Sequence, residues 1–262
     1  NRQILKDYEE VKEYRDEICG QKFHLYTQQS FLRNFINPYT PYTGLLIFHG
    51  VGTGKTGGAI SVAENFKDTV RKYGTKIYIL VSGPLIKEHW KDDILKFTAE
   101  NMNDQIGYVD EMEKNKNRKN ELANIMQYYK ILSYRSFYKK VLGEKIVENR
   151  TVSKGKVKKT YRKTEEGEIE RDLSVDRIEN LDNTLLIVDE AHNLTDKGAS
   201  LNNYGNAVKK IKKNSKNLRI ILLTATPMKN FAEDIVELIN YLRPENDRIH
   251  RNKIFTTHKN HL

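Results

Sequence analysis

Three short runs carry the residue types and spacings that can do chemistry. The first is His49-Gly50-Val51-Gly52-Thr53-Gly54-Lys55-Thr56, directly after the apolar run Leu45-Leu46-Ile47-Phe48. A buried strand, a glycine-rich turn and then a helix make the context of a phosphate-binding loop. Glycine lets backbone N–H groups face inward, and the helix N-terminus adds positive potential. In such a loop Gly50, Val51, Gly52, Thr53 and Gly54 line the phosphates, Lys55 reaches their outer oxygens and the Thr56 hydroxyl holds Mg2+. The generic loop has Gly or Ala where this chain has His49, while its Gly-x-Gly-Lys-Thr half is intact. Gly57 and Gly58 follow in the first helical turn, where each costs up to about 1 kcal/mol relative to Ala. Close approach of a neighbour and simple tolerance both remain open for them.

The second run, Asp189-Glu190-Ala191-His192, follows Leu185-Leu186-Ile187-Val188. An acid at the C-terminal end of a buried parallel strand stands where ligands bind in open α/β sheets. There Asp189 can hold Mg2+ on the far side from Thr56, and Glu190 can orient and deprotonate an attacking water. The tetrapeptide is a weak signal by itself and becomes specific after a strand and downstream of a phosphate loop. The third run, Thr224-Ala225-Thr226-Pro227, ends Ile220-Ile221-Leu222-Leu223. Hydroxyls of Thr224 and Thr226 can hydrogen-bond His192 and pass on the state of the site. A strand-to-helix turn capped by Thr226, with Pro227 at the first helical position, is the plainer alternative, and both can hold at once.

In this order and spacing the three runs resemble motifs I, II and III of superfamily 2 helicases. Within that group the chain is similar to the poxvirus-type helicase/ATPases of large nucleocytoplasmic DNA viruses. That similarity rests on Phe35–Tyr42, His49–Thr56, Thr224–Asn230 and Ile235–Pro244. It extends from about Phe23 to the chain end, least securely over the Lys-rich segment.

The resemblance implies the ATP-binding, RecA-like lobe of a nucleic-acid-dependent ATPase, with ATP and Mg2+ as ligands. It implies nucleic acid as partner, DNA ahead of RNA. Transcription machinery is a further implied partner, because family members serve as early transcription factor subunits and nucleoside triphosphatases. It places the protein in the virion or the infected cytoplasm. Gln29 matches the glutamine that reads the adenine edge, since an amide donates and accepts at once; Gln28 is the neighbouring competitor. Gly83, Pro84 and Lys87 fall in the place of motif Ia, and Ser133, Tyr134 and Arg135 in that of motif Ib. These six are implied nucleic-acid contacts, with helix capping an equal alternative. Trp90 reads as a packing residue of its helix.

The elements that must position these residues form an alternating pattern, short apolar runs between longer stretches of helical period. This is the pattern of an α/β domain whose mostly parallel sheet is flanked by helices. Strands are expected at Gly44–Phe48, Lys76–Ser82, Tyr129–Leu132, Thr184–Val188 and Arg219–Leu223, with Gln105–Val109 a weaker candidate. Helices are expected at Lys55–Tyr73, Pro84–Ala99, Ser133–Leu142, Leu201–Asn214 and Asn230–Leu242. Gly143–Asn183 breaks the rhythm and reads as an inserted β-hairpin, with basic Lys156–Lys163 pairing acidic Glu168–Val175 across a turn at Thr164–Gly167. The division expected is a helical extension over 1–22 and one lobe over 23–262.

Composition sets the outer bounds. The 262 residues suit one α/β domain with an insertion, and 45 Lys and Arg against 35 Asp and Glu leave a net charge of +10. From Lys114 to Lys163 there are 16 basic residues against three Glu, so the surface suits a polyanion; a solvated loop is the alternative. Cys19 is the one cysteine, which excludes an internal disulfide and a Cys-based zinc site and suits a reducing, intracellular compartment. No apolar run nears the roughly 20 residues of a membrane span, so no membrane partner is expected. A start at Asn1 and an end soon after Thr226 suggest a piece of a longer protein without a second lobe. The isolated chain is then expected to bind nucleotide weakly and hydrolyse it slowly. Two alternatives are a duplex-DNA translocase that does not separate strands and a non-catalytic scaffold. Intact Lys55, Thr56, Asp189 and Glu190 speak against the scaffold.

Overall fold

Short runs of Leu, Ile and Val become strands, and the amphipathic stretches between them become helices. The computed structural model describes residues 25–50, 52–99, 111–142, 149–153, 156–160, 177–195, 202–229 and 231–255. In chain order these hold α1 (Thr27–Phe35), β1 (Gly44–Phe48), α2 (Lys55–Glu64), α3 (Lys67–Tyr73), β2 (Ile77–Val81), α4 (Pro84–Ala99), α5 (Glu111–Met126) and β3 (Tyr129–Ser133). There follow α6 (Tyr134–Leu142), β4 (Asn149–Ser153), β5 (Lys156–Thr160), β6 (Leu185–Val188), a 3-10 turn at Ala191–Leu194, α7 (Asn202–Asn214), β7 (Arg219–Thr224) and α8 (Asp234–Leu242).

Five strands form one parallel sheet in the order β1-β7-β6-β2-β3. Successive side chains on a strand point to opposite faces, and here both faces are apolar. Ile79, Ile187 and Ile221 point to a core closed by α1–α4 with Ile60, Phe66, Trp90 and Ile94. Leu80, Leu186 and Leu222 point to a second core closed by α6–α8 with Phe137, Val208, Ile211 and Leu238. Buried on both sides, β6 can be Leu-Leu-Ile-Val without a polar residue. The architecture is the expected RecA-like α/β sheet of a phosphate-loop domain. Among the described residues no helix is long and apolar enough to cross a membrane.

Several local expectations change. The helix expected over Lys55–Tyr73 is two helices, broken at Asn65 and Phe66. Asn65 leaves the helix to bind α1, donating to the Arg33 carbonyl at 2.7 Å and accepting from Arg33 Nε at 3.2 Å. Helix α8 starts at Asp234, whose carboxylate takes the Phe231 N–H at 3.0 Å. Helix α5 has no counterpart among the expected elements, because its sequence is rich in Lys and Asn; among its described side chains Ile125 and Met126 pack onto the core.

Within the inserted segment, Lys156–Thr160 pairs antiparallel with Asn149–Ser153, and Val152 stands opposite Val157. Only Lys154 and Gly155 separate these arms in the sequence, and a short Gly-containing link between β-branched residues favours a hairpin. The acidic arm, the candidate strand Gln105–Val109 and the extension over 1–22 lie outside the described residues.

Candidate functional site

Strand β1 delivers the chain into the glycine-rich loop, where Gly52 and Gly54 take φ of 77° and 78°. Such left-handed backbone is costly for residues with a Cβ, so glycine is the natural occupant. Gly54 caps α2, and Thr53 Oγ1 donates to the Gly50 carbonyl at 2.7 Å. The Lys55 ammonium lies back over the loop and donates to the His49 and Gly50 carbonyls at 2.9 and 2.8 Å. It is the carbonyl of His49 that meets Lys55, which makes the side chain at that position less constrained than the generic loop suggests. Val51 lies outside the described residues.

Gln29 on α1 is buried. Its Nε2 donates to the Gly54 carbonyl at 3.2 Å, and its Oε1 accepts the Tyr26 N–H at 3.1 Å. Through these two bonds the side chain braces the loop, a role beside the adenine contact that the resemblance implies. The two glycines in the first turn of α2 now have a reason. A Cβ on Gly57 would stand 2.3 Å from Phe97 Cζ and 2.8 Å from Gln29 Nε2; one on Gly58 would stand 3.2 Å from Leu32 Cδ1. Close packing of α1 and α4 on that turn excludes side chains there.

Asp189 leaves β6 with its N–H still paired to the Leu80 carbonyl of β2 at 2.9 Å. Its carboxylate is held from two sides, Oδ1 accepting the Glu190 N–H at 3.0 Å and Oδ2 accepting the Trp90 indole N–H at 2.9 Å. Burial pushes this carboxyl above the ordinary carboxylate range. The Trp90 hydrogen bond opposes that most, the Glu190 charge adds to it, and the Glu190 N–H and the Lys55 charge pull it back.

Glu190 sits at φ 50° and ψ 52°, left-handed backbone that costs a residue with a side chain about 1 kcal/mol or more. Its carbonyl is pinned by the Asn193 side chain at 2.9 Å and main chain at 3.0 Å. The Tyr134 hydroxyl donates to the Asp189 carbonyl at 2.6 Å and lies 3.3 Å from that of Glu190. Burial pushes the Tyr134 phenol well above its usual range, and the Asp189 and Glu190 charges add to this, so it remains a protonated donor. The Glu190 side chain stays 44% exposed, with Oε2 3.3 Å from His192 Nδ1. The same nitrogen lies 3.2 Å from both Thr224 Oγ1 and Thr226 Oγ1, so the structure brings His192, Thr224 and Thr226 together.

The six residues of the implied nucleic-acid contacts differ in exposure. Tyr134 is buried, its ring in the core and its hydroxyl under the acid turn. Ser133 caps its helix, its Oγ accepting the Ser136 N–H at 3.1 Å. Arg135 is half-buried. By contrast Pro84 is exposed beside Leu85, which is 77% exposed, and a Cβ on Gly83 would meet nothing within 4 Å. Lys87 starts the helical ladder, its N–H donating to the Gly83 carbonyl at 3.2 Å.

Trp90 packs in the core as expected and also bonds Asp189, a pairing whose sequence signal is that a buried indole N–H needs an acceptor. Among the described residues no group of three or more His, Cys, Asp or Glu is arranged to hold a metal. A cation here would rest on Asp189, on the half-buried Thr56 hydroxyl and on ligand or water oxygens. That set of hard oxygen donors fits Mg2+.

Residues 22–229 match the family described as type III restriction enzyme, res subunit. The chain is 56% identical over 262 residues to an Acanthamoeba polyphaga mimivirus protein provisionally named an ATP-dependent RNA helicase, covering 98% of this chain and 22% of that protein. A second mimivirus protein with the same provisional description is 30% identical over 238 residues, 88% of this chain and 35% of that one. A provisionally named helicase of Invertebrate iridescent virus 3 is 27% identical over 227 residues, 83% of this chain and 20% of that one. The chain thus spans between 20% and 35% of the length of these relatives. Among solved structures it is similar to the Pyrococcus furiosus Hef helicase domain, with TM-score 0.45 and 20% identity over 87% of this chain and 37% of that one.

Two substitutions test the packing around this edge. Tyr134→Phe leaves the Asp189 carbonyl without its donor and is expected to lower unfolding free energy by about 1–2 kcal/mol in urea denaturation. Gly57→Ala is expected to lower the melting temperature despite its better helix propensity, because overpacking costs about 1–3 kcal/mol. An unchanged or raised Tm for Gly57→Ala would mean that Phe97 does not close on that turn.

Proposed function

The chain belongs to the type III restriction enzyme res-subunit family, and from that membership we propose that it is the nucleotide-binding lobe of a nucleic-acid-stimulated ATPase. One observation carries the reading. The phosphate loop and the acid turn stand at the C-terminal ends of β1 and β6, with only β7 between them, so Lys55 and Asp189 share one edge of the sheet. In this reading Gly50, Val51, Gly52, Thr53 and Gly54 offer backbone N–H groups to the phosphates. Lys55 exchanges its two carbonyl partners for β- and γ-phosphate oxygens. Thr56 and Asp189 hold Mg2+, which when bound neutralises charge on those oxygens. Glu190, half-exposed on a turn that Tyr134 and Asn193 hold rigid, orients the attacking water and accepts its proton. His192 relays the position of Glu190 to Thr224 and Thr226 on the neighbouring strand.

Nucleic acid is the proposed stimulant. The basic excess supports a polyanion, and the helix start at Pro84–Ile86, exposed between half-buried Gly83 and Lys87, offers a place to grip it. Mimivirus relatives are named RNA helicases, which supports testing RNA beside DNA. A viral origin, a role in transcription within an infected cell, and a second lobe elsewhere in a longer protein complete the proposal.

ATP hydrolysis by the full-length protein, measured with single-stranded DNA, duplex DNA and RNA as separate stimulants, is the test. Stimulation by at least one is expected. Glu190→Gln should lower turnover at least about 100-fold while leaving nucleotide bound. Lys55→Ala should weaken nucleotide binding itself. Turnover indifferent to Glu190→Gln would refute the assignment.

A further inference from the structure

We infer that Trp90 is a positioning residue whose indole N–H fixes the Asp189 carboxylate in the orientation that presents it to a Mg2+–nucleotide. This rests on the nucleotide site proposed above.

A residue that only packed its helix against the sheet could be Phe. The indole of Trp90 adds one N–H, which can donate and never accept. The group is 2% exposed, so water is not its partner. Its acceptor is the Asp189 carboxylate, 99 residues away in sequence, at 2.9 Å.

A carboxylate held by one donor can still turn about its side-chain bonds. Asp189 has a donor on each oxygen, Trp90 on Oδ2 and its own neighbour's N–H on Oδ1 at 3.0 Å. Each oxygen has roughly two lone-pair directions, so one on each remains for a cation. Tyr134 holds the main chain of the same turn through the Asp189 carbonyl. Trp90 therefore fixes the side chain and Tyr134 the backbone. This is how a metal-binding group is held to the narrow tolerance its geometry requires. Helix α4 also carries Pro84 and Lys87 in its first turn, so the carboxylate is tied to the element that offers the exposed Pro84–Ile86 surface.

Trp90 is the single tryptophan of the chain, so its emission reports on this one hydrogen bond. The experiment titrates the 262-residue chain with a non-hydrolysable ATP analogue, with Mg2+ or with EDTA, and reads tryptophan emission beside calorimetric binding. A saturable emission change is expected with Mg2+, much reduced in EDTA, and lost in Asp189→Asn. In Trp90→Phe the gain in nucleotide affinity that Mg2+ provides should shrink about 10-fold, since a hydrogen bond to a charged group is lost. Affinity in EDTA should stay within about twofold, with thermal melting used to check folding.

A full Mg2+-dependent gain in Trp90→Phe would overturn the inference and leave the nucleotide site standing. So would silent emission while calorimetry shows the Mg2+–nucleotide bound. Should the variant fail to fold, the emission titration of the unaltered chain decides. No nucleotide binding by the unaltered chain would overturn the site, and the inference with it.

Discussion

A carboxylate half-buried at the end of a sheet must be kept charged and kept still. Removing a charged group from water is costly unless donors and opposite charge replace the water. At Asp189 the replacements are the Trp90 N–H, the Glu190 N–H and the nearby Lys55 ammonium. They come from α4, from the acid turn itself and from the helix after the phosphate loop. Each needs its own element in place. Trp90 requires α4 seated on the apolar core, and Lys55 requires the loop folded by Gly52 and Gly54. The Glu190 N–H requires a backbone turn that Tyr134 and Asn193 hold against its intrinsic cost.

The parallel sheet makes that convergence possible. In a parallel sheet every strand ends at the same edge, and here each of the five ends carries something different. Read across the order β1-β7-β6-β2-β3, the edge presents the phosphate loop, the Thr224–Thr226 hydroxyls, the Asp189–Glu190 turn, the exposed Pro84–Ile86 helix start and the Ser133 cap. Residues scattered along the sequence become neighbours because β7 and β6 insert between β1 and β2. His192 shows the consequence, with oxygens of Glu190, Thr224 and Thr226 all within 3.3 Å of one ring nitrogen.

What was legible in the sequence is what local chemistry specifies. The Gly-x-Gly-Lys-Thr run needs its glycines for backbone reasons that act within a few residues. Strands buried on both faces appear as unbroken apolar runs, so all five were placed within about two residues, the usual uncertainty of element ends. Contacts between distant segments were not legible. Gly57 looked like an unexplained cost until Phe97 and Gln29 closed on it. Tyr134 occupies a position that a motif comparison marks as surface, yet the register of β3 and α6 turns its ring into the core. Gln29 has the right chemistry for a base edge, and packing of α1 on α2 also sets its amide against Gly54. Strand β4, which pairs with Lys156–Thr160, had no signal in the sequence beyond its two-residue Gly-containing link.

An experimental structure of the protein with Mg2+ and a non-hydrolysable ATP analogue tests whether the loop and the acid turn form one nucleotide site. The γ-phosphate is expected within hydrogen-bond reach of Lys55 and the metal about 2.1 Å from Thr56 Oγ1. Asp189 is expected to join that metal directly or through one water, with its Trp90 hydrogen bond retained. A nucleotide bound away from the loop, or a metal held without Thr56 and Asp189, would contradict that single site.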